Sequence, residues 1–202
     1  MRKIFLVVLL ALVATSCVEL ISEAGKAASE QINNQPVSTS AHNYEKVSLD
    51  SVFHVDLPIY MKPMNQLNSD AVLQYGNIYK ETYFVVIQED KNEYVELFKE
   101  FGDYNDKLPV IENYKNAQKN MFTESLTNPI FQDYGLSSIN DKPARQIKIF
   151  GIVDDIEVVY IIAFVEGEKD IFMLMNWTVN DKLDKYENSF EYINGTFKLI
   201  NK

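Results

Sequence analysis

The sequence predicts an α+β domain: an antiparallel sheet of about six strands in the order β-β-β-α-α-β-β-β-α, flanked by helices. Three observations carry this. Arg145 to Val153, Ile156 to Glu166 and Ile171 to Thr178 are apolar segments joined only by Asp154-Asp155 and by Gly167-Glu168-Lys169-Asp170, and links so short force antiparallel neighbours. Ahead of them, two segments carry apolar residues at helical spacing, and a third such segment follows them. Strands group with strands and helices with helices, rather than alternating as in a parallel α/β sheet.

The elements follow in order. Phe53, Val55 and Leu57 alternate with Val52, His54 and Asp56 up to Pro58, a first strand. Ile59 to Leu67 is a loop rich in apolar residues. Ala71 to Tyr75 and Thr82 to Gln88 read as a hairpin around Gly76-Asn77. Asp90 with Glu93 three residues on is a helix-start signal, Tyr94, Leu97, Phe98 and Phe101 fall on one face, and Gly102 is the stop. Pro109 opens a second helix with the stripe Val110, Tyr114, Ala117, Met121 and Leu126. Val158 to Val165 is apolar at every position, as for a central strand covered on both faces. Asp181 caps a last helix with Leu183, Tyr186, Phe190 and Ile193 inward, ended by Asn194-Gly195.

The tract Phe53-His54-Val55-Asp56-Leu57-Pro58, through Leu67-Asn68-Ser69-Asp70-Ala71, to Tyr83-Phe84-Val85-Val86-Ile87 resembles the PsbP-like superfamily, which includes the DcrB-like lipoproteins and the Ran-binding Mog protein. The three-strand meander and the closing helix fit the same plan, over residues 44–202. The resemblance implies a three-layer sandwich and non-catalytic accessory roles in partner binding. It implies no shared ligand and carries over no site residues.

The N-terminus carries a separate signal. Met1-Arg2-Lys3 is basic, and Ile4 to Ala14 is an unbroken apolar run of eleven residues. A membrane-spanning helix needs about 20, so the run suits the core of a signal peptide. Ala14-Thr15-Ser16-Cys17 follows. Ordinary signal peptidase cleavage before Cys17 leaves an unpaired thiol on an exported protein, so a lipobox is the better reading. The stretch resembles bacterial lipoprotein signals, with Ala14 in place of the commoner leucine. That resemblance implies a diacylglyceryl thioether on Cys17, the only cysteine of the chain, and an acylated amine. Two or more chains anchor stably where one does not. The expected organisation is a signal peptide over 1–16, a lipidated tether over 17–43 with the polar Asn33 to Ser40 as linker, and one domain over 44–202. Val18-Glu19 lacks the aspartate of inner-membrane retention, which by that analogy favours the outer membrane, periplasm-facing.

Composition narrows the function. The 202 residues carry a net charge of −10, and losing Arg2 and Lys3 makes the mature chain more acidic still. Such a chain is not expected to bind nucleic acid through a counterion-releasing basic face. The two histidines are His42, in the expected linker, and His54, two residues from Asp56; neither completes a zinc-ligand spacing. No Gly-x-Ser-x-Gly elbow and no glycine-rich phosphate loop occurs. Asp103 to Lys107 begins like a calcium loop but lacks its later acid and glycine, so it reads as a turn. Asp154-Asp155 and Glu166 to Asp170 are acidic turns. No cofactor, metal or catalytic residue is expected, and the protein is read as a non-catalytic envelope lipoprotein with a protein partner. The candidate partner surfaces are the acidic stripe Glu93, Glu96 and Glu100 and the loop residues Tyr60, Met61 and Met64, the loop being otherwise a cover over one end of the sheet. The alternative is a small-molecule-binding lipoprotein with a pocket between sheet and helices.

Overall fold

The computed structural model describes residues 36–200. The main sheet has eight antiparallel strands and a second sheet has three. In chain order the strands are β1 (Tyr44–Leu49), β2 (Phe53–Pro58), β3 (Lys62–Pro63), β4 (Ala71–Asn77) and β5 (Thr82–Asp90), then β6 (Thr127–Asp133), β7 (Ser138–Ile139), β8 (Lys142–Val153), β9 (Ile156–Glu166), β10 (Asp170–Val179) and β11 (Lys198–Leu199). The helices are α1 (Lys91–Phe101), α2 (Val110–Ser125) and α3 (Leu183–Thr196). The large sheet runs β3-β4-β5-β10-β9-β8-β6, with β7 beside β8, and the small one runs β1-β2-β11.

Three layers result. Alternation along the strands divides the buried residues into two cores. Tyr83, Val85, Ile87, Ile147, Ile162, Phe164, Met173 and Trp177 face α1 and α2 with Tyr94, Ile111 and Tyr114. Phe84, Val86, Ile161, Ala163, Phe172 and Leu174 face α3 and the small sheet with Phe53, Val55, Leu57 and Phe190. β9 and β10 are buried on both faces, as their unbroken apolar runs require.

The caps and turns follow the sequence. The Asp90 side chain accepts from the Glu93 N–H at the start of α1, and Gly102 ends it at φ +79°. That left-handed residue returns its N–H to the Lys99 carbonyl and is strained for any side chain. Asp154 and Asp155 both have positive φ, the type I′ geometry of a two-residue hairpin.

Several expectations are corrected. The strand over 53–58 does not join the main sheet; it is the centre of the small one. β1 was not expected, because Tyr44–Leu49 is an edge strand whose exposed residues show little alternation of hydrophobicity. β6 was hidden by Pro129, which an edge strand tolerates, here beside a register shift and a positive φ at Asn128. The buried face of α2 is Ile111, Tyr114, Gln118 and Phe122, so the expected stripe of Val110, Ala117 and Met121 lies at its margin, and Leu126 is the C-cap. α3 begins at Leu183 after a short 3-10 turn over Asn180–Lys182 and runs on to Thr196. Asn194-Gly195 therefore does not end it: Asn194 points inward and finds polar partners there. Finally, packing starts within the expected tether. The Val37 N–H bonds the Lys185 carbonyl at 2.8 Å, and the Val37 side chain packs on the second core.

Candidate functional site

Glu93, Glu96 and Glu100 are all exposed on the outward face of α1. The helix is fixed at its N-terminal end, by the Asp90 cap and by Lys91, whose ammonium bonds Glu166 at 3.2 Å and the Gly167 carbonyl at 2.9 Å. Sequence reasoning placed Phe101 inward with Tyr94. Phe101, in the last turn of α1, is instead 57% exposed. Its place immediately before the Gly102 stop was the available signal.

The loop residues are placed differently. Met61 is fully buried in the second core and offers no surface to a partner. Met64 is half-buried on the first core, its sulfur filling the space over Gly76, where a Cβ would meet it at 2.7 Å. The Tyr60 ring packs 6.5 Å from that of Tyr186, and burial holds its phenol well above the usual range. Met61 is therefore corrected from a partner residue to a core residue, while Tyr60 and Met64 keep part of their surface. Cys17, the expected lipidation site, lies outside the described residues.

The turn that begins like a calcium loop is engaged in structure. Asn113 bonds the Asn105 N–H and the carbonyls of Asn105, Leu108 and Pro109, which makes Asp103 to Lys107 a pinned turn. His54 on β2 is held below its usual pKa by partial burial and by Lys46, against the pull of Asp56. Among the described residues no three His, Cys, Asp or Glu side chains come together as a metal site, and no helix is long and apolar enough to cross a membrane. Between the main sheet and α1 and α2, aromatic rings pack: Tyr94 on Tyr114 at 5.1 Å and Tyr114 on Phe164 at 5.8 Å.

Two carboxylates of the α1/α2 layer are shifted in opposite directions. Glu112 is pushed up by burial, but bonds from Lys115 and from Arg145 (2.7 Å) outweigh this and hold it below its usual value. Its stabilisation is present near neutrality and is lost as pH falls through its folded pKa. Glu89 is the opposite case. Burial raises its pKa above the ordinary 4.5, against the hydrogen bond it accepts from Tyr114 at 2.9 Å. The unfolded chain ionises at this residue first, so stability falls as pH rises from about 4.5 toward the folded value. Glu89→Gln is expected to raise the melting temperature at neutral pH and leave it unchanged in acid below that window. Thermal melts at the two pH values check this.

The same arrangement of layers is seen in solved structures. Cyanobacterial PsbP (CyanoP) from Synechocystis sp. PCC 6803 is similar at a TM-score of 0.53 and 8% identity, over 81% of this chain and 96% of that one. This chain has the PsbP-like fold. LpqN, involved in cell envelope biogenesis of Mycobacterium tuberculosis, shares it at a TM-score of 0.51 and 10% identity, over 82% of this chain and 99% of that one. No family model and no curated protein matches the sequence. At such identities the likeness is one of fold, and the PsbP-like frame positions α1 and its acidic face without supplying site residues.

Proposed function

We propose that the protein is a lipid-anchored lipoprotein of the bacterial cell envelope whose PsbP-like domain binds a protein partner and has no turnover of its own. The observation that carries the partner role is α1, whose outward face exposes Glu93, Glu96 and Glu100 and whose C-terminal end exposes Phe101. An acidic helix face that ends in an exposed aromatic suits a basic partner surface with an apolar socket: the charges speed encounter and the ring supplies the desolvated contact. The anchor rests on the apolar run before Ala14-Thr15-Ser16-Cys17. LpqN, of the same fold, is involved in cell envelope biogenesis, which supports the compartment.

Charge reversal tests the surface. Glu93→Lys with Glu96→Lys should leave folding within about 0.5 kcal/mol, because both side chains are solvated. Capture of the partner from detergent-solubilised envelope should fall sharply, and wild-type capture should weaken with salt as the Debye length shrinks from about 10 Å at 0.1 M to about 3 Å at 1 M. Equal recovery of every co-purifying protein by wild type and variant would eliminate this face as the docking site.

A further inference from the structure

The chain enters the described fold at one corner, where Val37 is bonded to the first turn of α3. That corner differs from the rest of the surface. The β4–β5 turn there is rigid: Asn77 donates to the Tyr60 carbonyl at 2.9 Å and accepts from the Tyr79 and Lys80 N–H groups. The turn holds Tyr79 out at 71% exposure, beside a loop whose Ile59 is 50% exposed. Folding gives no reason to display either side chain.

Lysines gather at the same place. Lys80 lies 5.2 Å over the Tyr60 ring, Lys185 lies 5.5 Å over Tyr186, and Lys62 folds onto the Ile59 carbonyl at 2.8 Å. Lys182 is paired with Glu81. Lys185 is held below its usual pKa by burial and then by the charges of Lys80 and Lys182, a sign that positive charge is crowded there. The carboxylates here are Glu81, the exposed Asp181 and Asp184, and Glu157, which accepts from Asn180 at 3.0 Å, while Glu187 and Glu191 lie further along α3, Glu187 paired with Lys148. The corner therefore balances four lysines against four acids in a chain of net charge −10. The acidic Asp154–Asp155 turn lies at the same end of the sheet, three strand spacings from the β4–β5 turn that carries Tyr79 and Lys80, about 14 Å, beyond a Debye length of about 8 Å at physiological salt.

We propose that this corner is a membrane-docking surface. Tyr79 and Ile59 enter the headgroup layer of the bilayer that holds Cys17, and Lys62, Lys80 and Lys185 meet anionic lipid. The inference rests on the lipid-anchor reading. Eighteen residues separate Cys17 from Pro36, a reach of at most about 65 Å, so the corner is held at roughly millimolar concentration against the surface and a weak patch suffices. Tyrosine is the residue type favoured at the headgroup level. In this pose β5 runs away from the bilayer for nine residues, about 30 Å, which carries the start of α1 and its carboxylates out toward a partner.

The test uses the full chain, purified from membranes and reconstituted in phosphatidylglycerol–phosphatidylcholine vesicles containing brominated lipid. Tyr79→Trp is compared with Phe101→Trp, the buried Trp177 giving a common background. Docking predicts strong quenching at position 79 and little at position 101. Adding Lys80→Glu with Lys185→Glu should weaken the docked state by about 30-fold or more and reduce the quenching at position 79. Equal quenching at the two positions, or quenching indifferent to the lysine changes, overturns the proposal. The mass of the N-terminal peptide from the same sample reports separately whether the anchor itself is absent.

Discussion

Phe172→Ala is expected to be among the most damaging single truncations in the domain, costing about 3–5 kcal/mol. Phe172 is buried on β10, in the middle of the main sheet, and it joins the layers. Its ring meets Phe53 of the small sheet edge-on at 5.9 Å and Phe197, just after α3, at 5.4 Å, while Phe53 and Phe197 touch at 4.9 Å. Removing it opens a cavity between elements that are held apart by the lengths of β2 and α3 and cannot close the gap. For a domain of this size the loss corresponds to a fall in melting temperature of roughly 10 °C or more. Thermal unfolding followed by circular dichroism measures it; a fall of only a few degrees would show that the two sheets are not coupled through this ring.

Asn194→Leu is the second large effect. Asn194 is fully buried and holds two other buried amides: it accepts from Asn176 Nδ2 at 2.8 Å and donates to Gln146 Oε1 at 3.0 Å. Leucine fills similar volume but takes away both partners. Each orphaned amide costs about 1–3 kcal/mol, so the variant should lose roughly 2–4 kcal/mol. The triple change of Asn194, Asn176 and Gln146 to leucine should recover most of that loss, since no polar group is then left unpaired. Denaturant melts of the single and triple variants decide it, and a triple variant no more stable than the single one would contradict the account.

These two sites show what the sequence made legible and what it did not. The meander over 145–178 and helix α1 with both its caps could be read directly, because alternation, two-residue links and the Asp90 and Gly102 signals are local. Phe53 was legible as a strand residue, but its assignment to a second sheet was not: sheet membership depends on pairing with Tyr44–Leu49 and Lys198–Leu199, segments with weak patterns of their own. Asn194-Gly195 misled for a physical reason. The pair carries the composition of a helix stop, and the amides that keep Asn194 inside lie on β8 and β10, far off in sequence. At the candidate site, the carboxylates of α1 were visible from their spacing, whereas Phe101 shares the helical spacing of the buried Tyr94 and its exposure could not be read from periodicity. The loop from Ile59 shows the converse, as its hydrophobicity reports a lid over the sheet as readily as a binding lip.

The central claim is that an envelope anchor on Cys17 carries a partner-binding domain, and the most direct measurement is the mass of the mature N-terminal peptide of protein recovered from the membrane fraction. The account predicts a peptide beginning at Cys17, with a diacylglyceryl group on its sulfur and an acyl chain on its amine, and release of the protein from that fraction by Cys17→Ser. A mature peptide with a free Cys17 thiol, or a Cys17→Ser variant that stays membrane-bound through a salt wash, would contradict it.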